Sequence, residues 1–156
     1  MIEVRRIDEN DAVLVSRLAD AFAAEWPEWA ATVSRGELEA CFAIGESGAL
    51  PIVFAALDGG EPLGTVALRP YFDVEPMPET PWVRGLWVAP SHRGRGVDRQ
   101  LMRAVEDAAL GQGFTRIYAA TTRIERLGAR WGWRVFRRIE HKGEPMAWLS
   151  REVAPQ

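Results

Sequence analysis

Apolar positions along this chain switch repeatedly between the two-residue period of a strand and the three-to-four-residue period of a helix. Ile2 to Ile7 reads as a strand, and the polar run Asp8-Glu9-Asn10-Asp11 behind it is a turn. Asn10 or Asp11 then caps a helix that runs to about Glu25, with Leu14, Leu18, Ala21 and Phe22 on one face, until Pro27 interrupts it. A second helix spans Arg35 to Ile44, ended by Gly45 and Gly48. Leu50 to Leu57 is a buried strand, Asp58-Gly59-Gly60 a hairpin turn, and Pro62 to Leu68 the returning strand. Tyr71 to Pro81, with three prolines and three acids, is a loop.

The next stretch is the most organised. Val83 to Val88 is a short β-prone run stopped by Pro90, and from Val97 the apolar residues Val97, Leu101, Val105 and Ala108 mark one face of a helix, flanked by Met102 and Ala109 and ended by Gly111. Between them lies Arg93-Gly94-Arg95-Gly96. A glycine-rich turn feeding a helix N-terminus aims unpaired N–H groups and the positive end of the helix dipole at one spot, an anion site suited to phosphate or pyrophosphate. The same residues also serve as a plain turn. They are not a P-loop, lacking Gly-Lys-Ser/Thr, nor the three-glycine dinucleotide fingerprint. Arg116 to Thr121 is a further strand, Ile124 to Trp131 a short helix ended by Gly132, and Arg134–His141 with Met146–Arg151 a last hairpin turned at Lys142-Gly143-Glu144-Pro145. The order is mixed α/β.

Composition narrows the partners. The 156 residues suit a single domain, 1–156, and no apolar run is long enough to span a bilayer or to form a secretory leader. One cysteine excludes an internal disulfide; Cys41, beside Leu38 and Phe42, reads as a small buried hydrophobe. His92 and His141 stand far apart without ligand spacing, so no metal site is expected, and a cytoplasmic protein is. Charge is divided: residues 1–81 hold 15 acids against 5 arginines, a net of −10, whereas 82–156 hold 7 acids against 14 bases, a net of +7. The basic half carries the anion loop and suits a polyanionic cofactor. An acidic total and arginines interspersed with core residues argue against nucleic acid.

The segment Val-Ala-Pro-Ser-His-Arg-Gly-Arg-Gly-Val-Asp-Arg-Gln-Leu-Met, 88–102, resembles the acetyl-CoA motif of the GNAT N-acetyltransferase superfamily, Arg/Gln-x-x-Gly-x-Gly/Ala after a strand ending in Val-x-Pro. Arg93, Gly96 and Asp98 fall on the three named positions, the last departing from the pattern. Residues 129–136, Ala-Arg-Trp-Gly-Trp-Arg-Val-Phe, resemble the Leu-Gly-Phe/Trp step before the superfamily's last hairpin, and 73–88 are similar to the loop before the motif in a bacterial branch that acetylates small amines and peptides. The resemblance covers roughly residues 73–150. It implies a central, mostly antiparallel twisted sheet of about six to seven strands with helices on both faces.

The same resemblance implies roles for particular residues. Backbone groups of Leu86, Trp87 and Val88 hold the pantetheine arm of acetyl-CoA, and the amides of Gly94, Arg95, Gly96, Val97 and Asp98 hold its pyrophosphate, with Arg93 and Arg95 adding charge-assisted bonds. An acetyl group passes directly to a primary amine on a small molecule or peptide N-terminus. Gly85 marks either a splay in the strand or a packing contact beneath Trp82 or Trp87. Asp98 favours the helix start by about 0.3–1 kcal/mol but repels phosphate. The branch's general-acid tyrosine falls on Gly128, so the hydroxyl is missing. Asp73 and Glu79 are the catalytic candidates for taking the amine's proton, with Glu75 beside them. The acidic first half suggests a cationic acceptor, for which Trp26, Trp29 and Trp82 offer aromatic faces. Val135, Phe136, Met146 and Trp148 supply apolar surface for a homodimer. The alternatives are a catalytically weak coenzyme A-binding regulatory or interaction module, and a protein-interaction domain whose basic loop meets another anion.

Overall fold

A computed structural model describes residues 1–73, 75–122 and 132–153. In chain order the elements are β1 (Ile2–Arg6), α1 (Ala12–Glu25), α2 (Pro27–Ala30), α3 (Arg35–Ala40), β2 (Ile52–Asp58), β3 (Glu61–Arg69), β4 (Trp82–Val88), α4 (Val97–Gly111), β5 (Arg116–Thr121), β6 (Arg134–His141) and β7 (Glu144–Glu152). The strands form one seven-stranded sheet in the order β1-β2-β3-β4-β5-β7-β6. The pairs β1–β2, β5–β7 and β6–β7 are antiparallel, and β4–β5 is parallel. This is the mixed α/β class expected. The expected helix 124–131 and Gly128 lie outside the described residues.

The chain divides into two compact units, Met1–Ala67 with Gly85–Val105, and Leu68–Arg84 with Glu106–Gln156. In the first, β2 is buried on both faces, as its unbroken apolar run demands. Its odd positions Val53, Ala55 and Leu57 pack with Leu14, Leu18 and Phe22 of α1 and with Leu38 and Phe42. The start of α4 takes the opposite face: a Cβ on Gly64 of β3 would lie 3.0 Å from Leu101 and 3.3 Å from Val97, whereas Ala67, three residues on, joins the α1 cluster. The buried stripe of α4 is Val97, Leu101, Met102, Val105 and Ala109, so Ala109 rather than Ala108 completes it. In the second unit β6 is almost wholly exposed, an edge strand carrying Arg134, Arg137 and Arg138.

Several boundaries move for physical reasons. The helix expected over 35–44 holds α geometry only to Ala40, because Phe42 N and Ala43 N donate to carbonyls three residues back and tighten the last turn. Its start carries a capping box, Ser34 with Glu37. Cys41 ends this helix half-buried, its thiol 3.6 Å from Glu37 O, and is less enclosed than its pattern implied. Pro27 both stops α1 and opens the one-turn α2. The last hairpin turns on Lys142-Gly143 alone, so β7 starts at Glu144.

Asp11 precedes α1, but its side chain makes no cap. Instead its carboxylate takes both guanidinium branches of Arg5, at 2.8 and 2.9 Å, and Asp8 N at 2.8 Å, tying β1 to the helix start. Donation from Arg5, helped by Asp8 N, holds the Asp11 carboxyl down from 3.8 to about 2. A carboxyl lowered on folding stabilises fully above its unfolded value and loses that contribution as pH falls through its folded one. Asp11→Asn should therefore destabilise by on the order of 1 kcal/mol at pH 6, allowing for screening at the part-exposed Arg5, and the gap to the parent should close towards pH 2 in urea titrations.

Candidate active site

The site is built on what β4 does at Gly85. Its φ is +66°, a conformation that side chains resist, and a Cβ there would sit 3.8 Å from the Phe22 ring. The glycine is thus a kink lying over Phe22 rather than a contact beneath Trp82 or Trp87. β4 pairs with β5 before this point, through Trp82 opposite Tyr118. After it, Ala89 N donates to Leu63 O at 2.7 Å, so Ala89 and Trp87 turn their backbone groups towards β3. By strand alternation Leu86 and Val88 direct theirs to the other edge, where Val88 O accepts Arg93 Nε. Trp87 is buried edge-on to Phe22, with its Nε1 donating to Glu25 at 3.0 Å.

A 3₁₀ turn, Pro90–His92, leads into the loop. Gly94 and Gly96 have φ of +76° and +81° in open space, so glycine is needed there for backbone shape and not for room. Residues 93–96 are exposed, while Val97 is buried and anchors the helix start. Among the described residues, the N–H groups from Gly94 to Asp98 donate to no carbonyl. Exposed amides running into the first turn of a fifteen-residue helix make this loop a candidate anion-binding nest.

The charged residues around that nest are not arranged as expected. Arg93 turns back from it: its Nε donates to Val88 O at 2.9 Å and its Nη2 pairs with Glu25. Arg95 is exposed and makes no ion pair among the described residues, which leaves it as the cation of the loop. Asp98 folds its carboxylate onto the backbone, accepting Arg99 N at 2.8 Å. One donor of the helix start is thereby occupied by a negative charge of the chain itself.

Asp73 and Glu79 occupy different settings. Asp73 is exposed. Glu79 is largely covered, its carboxylate lies 3.6 Å from Arg137, and its carbonyl accepts Trp82 Nε1 at 2.8 Å. Trp82 is wholly buried in a ring cluster with Phe72, Tyr118 and Trp148, so it presents no face to an acceptor. Arg84 stacks over Phe72 and Arg137 over Trp148. Trp26 and Trp29, by contrast, are exposed, at 41% and 38%. No group of three or more potential metal ligands occurs among the described residues.

Two residues of the site are not apparent from the sequence pattern. Gly64 admits the Trp87 carbonyl, which a Cβ would meet at 2.8 Å. Its only sequence signal is a glycine inside a strand pattern. Glu25 leaves a clearer one, an acid three residues beyond Phe22 on the apolar stripe of α1.

The fold and this loop define an acyltransferase. The sequence matches the acetyltransferase (GNAT) family over residues 15–138, and the chain belongs to that family, whose members draw their acyl group from acetyl-CoA. It is similar in structure to aminoglycoside 6′-acetyltransferase type Ii, with a TM-score of 0.80, 21% identity and 99% of each chain covered. It is also similar to an aminoglycoside 6′-N-acetyltransferase complexed with coenzyme A (TM-score 0.75, 18% identity, 99% and 98% covered). The aminoglycoside 6′-N-acetyltransferase from Enterococcus faecium gives a TM-score of 0.76 at 19% identity, with 99% and 98% covered. No curated protein matches the sequence. No helix among the described residues is long and apolar enough to cross a membrane.

Because Asp98 both occupies Arg99 N and places charge beside the nest, Asp98→Ala should tighten acetyl-CoA binding about 3–10-fold by calorimetry. The lost helix-start charge should cost stability of only about 0.3–1 kcal/mol.

Proposed function

We propose that this chain is an acetyl-CoA-dependent N-acetyltransferase, with 1–156 acting as one domain, that transfers acetyl directly to a primary amine on a small molecule or peptide N-terminus. The observation that carries this reading is the exposed glycine turn, Gly94 to Gly96 with both glycines left-handed, running into the N-terminus of α4 after a strand that is left-handed at Gly85. Amides there suit a pyrophosphate in polarity, with Arg95 adding charge and the backbone of Leu86 and the Val88 N–H meeting the amide-bearing arm, since the Val88 carbonyl is held by Arg93. Acetyl-CoA supplies a thioester carbon that an amine attacks, with the coenzyme A thiolate as leaving group. A backbone N–H of the 86–88 edge stabilises developing charge on the carbonyl oxygen.

An amine with a pKa near 10 arrives protonated, so a base is required. Asp73, exposed and unpaired among the described residues, suits that role better than Glu79, whose charge is shared with Arg137. The excess of acids over arginines in residues 1–81 supports a cationic acceptor such as a polyamine or an aminoglycoside-like amine, and the exposed Trp26 and Trp29 supply aromatic faces. We place the enzyme in the cytoplasm. A homodimer would use Val135 and Phe136 of the edge strand, since Trp148 is buried. The competing reading, a coenzyme A-binding module with weak catalysis, is favoured by Gly128 at the tyrosine position, because general-acid help is worth about 10²–10⁴-fold.

Calorimetry with acetyl-CoA should show binding that Gly96→Glu abolishes while circular dichroism stays unchanged. Absence of binding at millimolar ligand would end the transferase reading. Thiol release with an amine panel then separates enzyme from module, since the module binds and releases no thiol above background. Asp73→Asn together with Glu79→Gln should lower kcat at neutral pH and raise the acceptor KM several-fold. Unchanged kinetics would remove both acids from the site.

A further inference from the structure

The structure assigns to Glu25 the task of holding the cofactor loop in its binding shape, acting through Arg93. Glu25 is the last residue of α1 and its side chain is about three-quarters buried, 24% exposed, where an unpartnered carboxylate would be costly. Its Oε1 receives two donors from different places, Trp87 Nε1 at 3.0 Å and Arg93 Nη2. Arg93 in turn donates from Nε to Val88 O. One carboxylate and one guanidinium therefore join the end of α1, the end of β4 and the first residue of the loop. The bond from Arg93 to Val88 closes a ring around the 3₁₀ turn Pro90–His92, and the two positive-φ glycines leave from that ring.

This arrangement gives Arg93 a different use from the one its motif position suggests. Its positive charge is balanced by Glu25, and its donors point back to β4 rather than forward to the nest. An isolated surface ion pair would contribute little. This one is half exposed on the Arg93 side, but its carboxylate is largely covered, is shared with the buried Trp87 indole, and is joined to Arg93 across 68 residues of sequence. Glu25 is a positioning residue, and its ligand-binding consequence rests on the proposed coenzyme A site. Its effect on loop order does not.

The test uses Glu25→Gln, Arg93→Lys and the double variant in the full chain, with the exposed Glu28→Gln as control. Without ligand, exchange of the hydrogen-bonded amides of Ala89, His92 and Arg93 should speed up about tenfold in Glu25→Gln, with β1 and β2 unaffected. Acetyl-CoA KM should rise about tenfold with a change in kcat within about threefold, and the double variant should be no worse than the poorer single one. Arg93→Lys, which keeps the charge but cannot fork between Val88 and Glu25, should reproduce the loss and serves alone if Glu25→Gln does not fold. Unaltered exchange, independent losses, or tighter acetyl-CoA binding in Glu25→Gln would each overturn the assignment. The last would make Glu25 a competitor of the phosphates. If the parent binds no acetyl-CoA, the coenzyme A reading falls, and the exchange measurement still decides the role of Glu25.

Discussion

A left-handed backbone at Gly85 places the end of β4, and the rest of the site inherits its position from that kink. A strand in a sheet normally spends its backbone groups on both neighbours. Here Trp82 opposes Tyr118 before the kink, and beyond it the Ala89 amide is bound to Leu63 while Leu86 and Val88 face the other edge. The kink depends on glycine for its backbone shape, since φ is +66° while a Cβ would meet the Phe22 ring only at ordinary contact distance, 3.8 Å. Gly64 makes the complementary concession on β3, leaving the Trp87 carbonyl room where a Cβ would strike it at 2.8 Å. A left-handed glycine and one absent side chain thus set where the loop after β4 begins.

The loop itself combines intrinsic and borrowed order. Gly94 and Gly96 supply backbone shapes no other residue adopts cheaply, and Val97 sinks the helix start into the core. Nothing in that local sequence sets the direction in which the loop leaves β4. That direction comes from Arg93 and Glu25, a contact between the end of the first long helix and the first residue of the motif. At the same helix start Asp98 folds its carboxylate onto the next amide, accepting Arg99 N.

The second unit carries the catalytic candidates in an environment of rings and arginines. Trp82, Phe72 and Trp148 bury one another, and Arg84 and Arg137 lie on ring faces. This makes Trp82 a structural residue and commits Glu79 to a cation. Trp26 and Trp29 behave oppositely. A tryptophan at a helix corner is usually core, but the single turn of α2 is too short to be covered, and both rings meet solvent.

Most of the architecture was legible in the sequence because it depends on periodicity and punctuation. The strands, the long helices, the hairpin turns and the Gly-Arg loop each carry a local signal, and the motif at 88–102 marked the family before any contact was known. Helix ends were less legible, since Cys41 to Ile44 keeps helical spacing while its hydrogen bonds tighten. The roles of charged residues were not legible. Asp11 looks like a cap and serves Arg5; Arg93 looks like a phosphate ligand and serves Val88 and Glu25. By itself the sequence determined where the chain turns and which stripes are buried, because backbone preference and burial act over a few residues. Only the tertiary structure decided which charge each carboxylate and guanidinium faces, because an ion pair is chosen by proximity across a folded core, and sequence separation says nothing about that.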